Sequence, residues 1–326
     1  MRHNMSLKRR VLHIYIFLKL IFFANISFAD SLDNWKMALW EDAKAANISE
    51  AVFKDALSDF KPIERVVSLD RKQPEFTLTF DTYLERIISE YRVKKARNKL
   101  IEHKQILSEI STKYNVQPRF IITLWAIETN FGENTGGFNV PHALATLAFD
   151  GRRSEYFRKE LINALKIIEN GHITASNMNG SWAGAMGQSQ FMPSSYLSYS
   201  EDWDKDGKAD IWTNKSDVFA SIANYLSSVG WSGNQTWGRE VIAPHNLQLE
   251  NLLKNKTAKN VNQWQQLGLR NANSTDLPVS DISAYLVRPA TSNRLFLVYG
   301  NYNATLKWNR SHYFALAVGI LSDRLR

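Results

Sequence analysis

The stretch Leu124-Trp125-Ala126-Ile127-Glu128-Thr129-Asn130-Phe131-Gly132 places one carboxylate at the end of a run that is otherwise almost wholly apolar. From Phe120 through Ile127, apolar residues fall on nearly every side of a helix, the pattern of a core helix rather than a surface one. Pro118 suits the first turn of that helix. Thr129 to Val140 holds three glycines and three asparagines, so the chain must turn directly after the carboxylate. Burying an ionised carboxylate without a partner is costly. Glu128 therefore finds a cation, opens to a cleft at the helix end, or is held protonated as an acid. A solvated or Arg-paired Glu is the plain alternative, and the rest of the chain decides between them.

Upstream, Leu32, Trp35, Met37, Ala38 and Trp40 begin a helical pattern that Ala51-Val52-Phe53 and Ala56-Leu57 continue. Lys72-Gln73-Pro74-Glu75 breaks it. Phe76, Phe80, Tyr83, Leu84, Ile87 and Ile88 then recur at three- and four-residue steps, which predicts a helix face carrying Tyr83. A charged helix is expected from Val93 to Tyr114. Downstream, two helices are expected over Pro141 to Phe149 and Glu155 to Asn170, with Gly171 as the stop.

A second unusual stretch runs from Gly180 to Tyr196 and includes Gly184-Ala185-Met186-Gly187-Gln188-Ser189-Gln190-Phe191-Met192-Pro193. Its small residues allow a close backbone approach, either to a ligand or to a neighbouring helix, while Ser181, Gln188, Gln190 and Tyr196 add hydrogen-bonding groups. The third is Asp202-Trp203-Asp204-Lys205-Asp206-Gly207-Lys208-Ala209-Asp210. Carboxylates at loop positions one, three, five and nine, with glycine at six, match the spacing that wraps oxygens around calcium. Position twelve is Thr213 rather than Glu, so a bidentate ligand must come from elsewhere, and Asp217 is the nearest candidate.

Val218 to Val229 reads as a helix bearing Tyr225. Beyond Gly230-Trp231 the helical period fades, and Glu240 to Ala243, Tyr285 to Val287 and Leu295 to Tyr299 read as short strands. Trp308-Asn309-Arg310-Ser311 then opens a closing helix, Tyr313 to Leu325. The fold class is mainly α (α+β), with a small β-containing lobe.

The formal charge of +8 is misleading, because Arg2, Lys8, Arg9, Arg10 and Lys19 fall in residues 1–29, which hold no acid. The remainder is close to neutral, and nothing argues for nucleic acid. Residues 1–29 have a basic start, an apolar stretch from Val11 to Phe28 and a small-x-small site at Ser27-Phe28-Ala29, the pattern of a cleavable signal peptide. The chain has no cysteine, which excludes disulfides, a thiol nucleophile and a lipid-modified N-terminal Cys. A soluble protein in an extracytoplasmic, periplasmic space is expected.

Taken together, Glu128-Thr129-Asn130-Phe131-Gly132, Gly184 to Tyr196, the Asp202 to Asp217 loop and Trp308-Asn309-Arg310-Ser311-His312-Tyr313 to Ala317 resemble the membrane-bound lytic transglycosylase B family of bacterial cell-wall enzymes. The resemblance covers about Gln73 to Leu325. It implies a lysozyme-like helical core over 116–239 that includes the calcium loop, an additional helical lobe over 30–115, a small β lobe over 240–303 and a helix over 304–326 returning to the core. It also implies cleavage between N-acetylmuramic acid and N-acetylglucosamine in peptidoglycan glycan strands. The same carry-over makes Glu128 the catalytic acid/base. Ser181, Gln190, Tyr225, Asn309, Tyr83, Tyr156 and Met186 then lie along the sugar cleft, and Asp202, Asp204, Asp206, the Lys208 carbonyl and Asp217 hold structural Ca2+. No organic cofactor is expected, other cell-envelope proteins are possible partners, and the chain is expected to be a monomer. Trp308 and Phe314 stand where the family often has Tyr, and the lipid-attachment Cys is missing.

Overall fold

The computed structural model describes residues 31–72 and 78–326. The expected leader, the break at Gln73-Pro74-Glu75 and Phe76 lie outside the described residues. Among those described, no helix is long and apolar enough to cross a membrane.

The chain begins with α1 (31–45), α2 (Glu50–Leu57), α3 (Glu64–Arg71) and α4 (Phe80–Ile87). Ser49 and Thr79 open α2 and α4 by accepting the backbone N–H groups of Val52 and Thr82, which the first turn of a helix leaves unpaired. The single charged helix expected over Val93 to Tyr114 is instead two, α5 (Glu90–Glu102) and α6 (Lys104–Tyr114), divided at His103. The imidazole of His103 packs against the rings of Trp125 and Phe219, and the break in the helix allows that burial.

Next come α7 (Pro118–Thr129), β1 (Phe138–Asn139), α8 (Val140–Phe149), α9 (Ser154–Glu169), β2 (Asn179–Gly180), α10 (Pro193–Tyr199) and α11 (Lys215–Ser228). As its composition predicts, α7 is central, with Phe120 through Ala126 all buried. One continuous apolar core runs from Leu39 on α1 to Leu325 near the C-terminus.

The small lobe holds β3 (Gly238–Ile242), α12 (Leu249–Lys254), β4 (Lys259–Asn260), α13 (Val261–Gln266), β5 (Arg270–Asn271), β6 (Ser283–Val287) and β7 (Leu295–Val298). These strands form an antiparallel sheet in the order β4-β6-β7-β3-β5. Strand β7 is buried throughout, and its alternation divides two cores. Leu295 and Leu297 join Trp264 and Leu286 inside the lobe, while Phe296 and Val298 face the main core.

The chain returns through α14 (Gly300–Trp308) and α15 (His312–Asp323), the latter packed against α7. Sequence periodicity misses α14 because part of its buried face is polar. Asn301 is fully buried, accepting the Ser232 N–H and donating to the Ser232 and Gln235 carbonyls. Between β6 and β7, the Thr291 hydroxyl accepts the Phe80 N–H at 2.8 Å and lies 2.6 Å from the Tyr313 hydroxyl, joining the small lobe to both α4 and α15.

Candidate active site

Glu128 sits in the last turn of α7, and the chain leaves the helix at once through Asn130, Phe131 and Gly132, all with positive φ. Thr129, fully buried, donates its hydroxyl to the Gln188 carbonyl at 2.9 Å and accepts the Gly132 N–H at 3.0 Å. The turn after the carboxylate is thereby tied to the glycine-rich stretch. Gly136 brings the two closer still, since a Cβ there would lie 2.1 Å from the Gly180 carbonyl oxygen.

Glu128 is half-buried, with its carboxyl deep among aromatic side chains. Its Oε1 accepts the indole N–H of Trp308 at 2.7 Å. Burial pushes its pKa up to about 7, the Trp308 hydrogen bond opposing the rise, and no other described carboxylate contributes. The ring of Trp308 packs against Phe191 and Tyr225 at 5.2 and 4.8 Å. Tyr83 faces the same carboxyl from α4; burial first, and then the charge of Glu128, push its hydroxyl up to about 12. Glu133, the nearest acid in sequence, is exposed and pairs with Lys95 and Asn130.

The remaining expected contacts separate by what their polar atoms already do. Ser181 accepts the Ala183 and Ala185 N–H groups, so its own hydroxyl hydrogen has no partner among the described residues. Gln190 donates its amide to the Thr135 and Gly187 carbonyls, leaving its Oε1 as an acceptor. Asn309 is exposed, and its Oδ1 accepts the Ser311 N–H. The hydroxyl of Tyr225, expected along the sugar cleft, instead donates to the Lys307 carbonyl at 2.7 Å and braces the residue before Trp308.

One of these expectations needs correction, and another gains no support from the described contacts. Met186 is fully buried, so its side chain belongs to the core; the close backbone bridges of this loop to Gly180 and Phe191 turn it inward. Tyr156 is exposed on α9 with its ring against Phe157, and no described contact joins it to Glu128 or Trp308. The donor role of Trp308 was not foreseen from sequence. The only hint was an aromatic residue beside Asn309.

In the acidic loop, carboxylate oxygens of Asp202, Asp204 and Asp217 lie within 4.8 Å of one another. Asp217 is fully buried, and no described Lys, Arg or His forms an ion pair with any of the three. Burial first, and then the charges of Asp204 and Asp202, raise the Asp217 carboxyl to about 6 against two backbone hydrogen bonds. A hard divalent cation such as calcium fits this all-oxygen donor set, because it removes the mutual repulsion. Asp206 lies outside the group, with its Oδ1 taken by the Lys208 N–H. Its own N–H goes to Asp202 and Asp204. Asp210 likewise holds the Trp212 and Thr213 N–H groups.

A family model described as a transglycosylase SLT domain matches residues 31–323. The chain belongs to this family. The chain is 32% identical over 222 residues to membrane-bound lytic murein transglycosylase B of Escherichia coli (strain K12), an alignment covering 67% of the chain and 59% of that protein. It therefore spans about three-fifths of that relative's length. SltB3 of Pseudomonas aeruginosa, solved with NAG-anhNAM-pentapeptide, has a TM-score of 0.86 to it at 40% identity, over 90% of this chain and 79% of its own. The Escherichia coli lytic transglycosylase Slt35 in complex with calcium has a TM-score of 0.70 at 28% identity, over 82% of this chain and 85% of its own. Membership of the lytic murein transglycosylase B family and the lysozyme-like helical fold, both expected from the sequence motifs, are established by these matches.

Proposed function

We propose that this transglycosylase cleaves the β-1,4 bond between N-acetylmuramic acid and N-acetylglucosamine in peptidoglycan and leaves 1,6-anhydromuramic acid ends. The observation that carries the reading is a lone carboxyl, Glu128, held by burial near neutral pH beside Trp308, with no second carboxylate among the described residues bearing on it. Most glycosidases that use water or a covalent intermediate have two carboxyl groups flanking the bond. One carboxyl must here serve twice.

Glu128 in its protonated form gives its proton to the glycosidic oxygen while the C1–O bond breaks and its electrons leave with the N-acetylglucosamine. The N-acetyl group of the muramic acid assists departure. Glu128, now a carboxylate, takes the proton of the C6 hydroxyl as that oxygen closes onto C1, and no water is consumed. On this reading Ser181 binds the sugars through its O–H, Gln190 through Oε1, Asn309 through its amide and Tyr83 through its phenol. Tyr225 contributes as a wall behind Trp308.

Asp202, Asp204 and Asp217 would hold calcium, whose bound charge stabilises the loop and the start of α11 and supplies nothing to the reaction. The solved complex of Slt35 with calcium supports that assignment. SltB3 with its bound muropeptide supports peptidoglycan strands as the partner. The leader pattern supports action in the periplasm.

Mass analysis of soluble products from purified murein tests the function. Anhydro ends are lighter by one water than the ends a hydrolytic muramidase leaves. A hydrolysed end would overturn the transglycosylase reading, and the absence of any product would make the protein a peptidoglycan-binding scaffold.

A further inference from the structure

We infer that Trp308 is a positioning residue that fixes which oxygen of Glu128 carries the reacting proton, holding Oε1 as the acceptor and leaving Oε2 as the O–H that faces substrate. The inference rests on the function proposed above. An indole N–H donates and offers no lone pair in return. It points at Oε1 from 2.7 Å. In a neutral carboxyl group the carbonyl oxygen is the better acceptor and the hydroxyl oxygen the poorer one, so a donor fixed at Oε1 drives the proton to Oε2. A phenol at this position could turn and accept a proton from Oε1, dividing the acid between two forms. Tryptophan cannot.

The donor is held in place independently of Glu128. Phe191 and Tyr225 flank its ring. The carbonyl of Lys307 accepts the Tyr225 hydroxyl at 2.7 Å, and Lys307 Nζ donates to the Val229 carbonyl at 2.8 Å, so α11 grips the last turn of α14 from two directions. The indole need not move when the carboxyl gives up its proton. The same N–H then serves the carboxylate, where a hydrogen bond to a charged acceptor is stronger. One fixed group thus directs the proton before transfer and stabilises the charge after it.

Trp308→Phe keeps the ring and removes the donor. The midpoint of the basic limb of kcat/KM should move up by on the order of one pH unit, and kcat should fall about tenfold with KM changed much less. Trp308→Tyr should bring the midpoint part of the way back. A Trp308→Phe enzyme with the wild-type midpoint and kcat overturns the inference. A second measurement needs no variant to fold differently: in the wild-type protein with 15N-labelled tryptophan, the Trp308 indole resonance should titrate with a midpoint near 7, and Glu128→Gln should abolish that titration. An indole signal unchanged across this range also overturns the inference. Because the resonance is read without substrate, its titration can persist in a protein that yields no anhydro product, in which case the proposed function fails while the proton placement stands.

Discussion

The indole N–H of Trp125 donates to the side-chain oxygen of Gln188 at 2.9 Å, a buried bond between α7 and the glycine-rich stretch. The same side chain donates from Nε2 to the Trp212 carbonyl at 2.7 Å, so one amide spans α7 and the edge of the acidic loop. Gln188→Leu leaves both partners without a bond, and a loss of about 2–3 kcal/mol is expected in urea denaturation. A variant as stable as the wild type would show that water or a local shift replaces the amide.

Glu128→Gln should abolish peptidoglycan clearing while preserving the fold, and its effect on stability has a definite sign. Glu128 titrates near 7 in the folded protein and near 4.5 when unfolded. The native state therefore binds more protons between those values. The stability this group contributes is fully present below about pH 4.5 and lost as pH rises through about 7, for a total on the order of 3 kcal/mol. Glutamine does not titrate, so the variant should gain relative to wild type as pH rises from about 4 to about 8.5. Parallel thermal melts at the two pH values check this, and a constant difference would contradict the raised titration.

The rate of product release from purified murein should fall as pH rises through about 7, because only the protonated form of Glu128 can act as the acid. A profile flat through that region would remove Glu128 from the acid role.

Chelation should lower the melting temperature and calcium restore it, by about 2.7 kcal/mol in equivalent stability at a hundredfold excess over Kd. Asp217→Asn should abolish the response to calcium. Retention of the full response in that variant would place the ion elsewhere.

Gly319→Ala should destabilise the protein by about 1–3 kcal/mol, since a Cβ on α15 would lie 2.1 Å from the Trp237 indole. That indole is buried and donates to Asp323 at 3.0 Å, so it cannot simply swing aside. An unchanged midpoint in chemical denaturation would mean that α15 can slide.

Glu128 was legible in the sequence because a charge closing an apolar run, followed at once by a turn, has few physical outcomes. Strands β6 and β7 were legible from their β-branched and aromatic runs. Trp308 as the partner of Glu128 was not, for the two lie 180 positions apart and only the return of α14 against α11 brings them together. Helix α14 itself was hidden because its buried face mixes polar Asn301 and Thr305 with Tyr302 and Ala304, which breaks the apolar period. In the acidic loop, spacing marked the carboxylates but not which of them converge, and those that do are Asp202, Asp204 and Asp217. The phenol of Tyr225 was read as a sugar contact because sequence says nothing of the Lys307 carbonyl it meets.

The Thr291 hydroxyl reaches Phe80 on one flank and Tyr313 on the other, and the ring of Tyr313 in turn touches Tyr83. Recombination could not exchange the small lobe for an unrelated module without also rebuilding the wall that faces Glu128. A transplanted lobe would have to bring its own hydroxyl to the same spot.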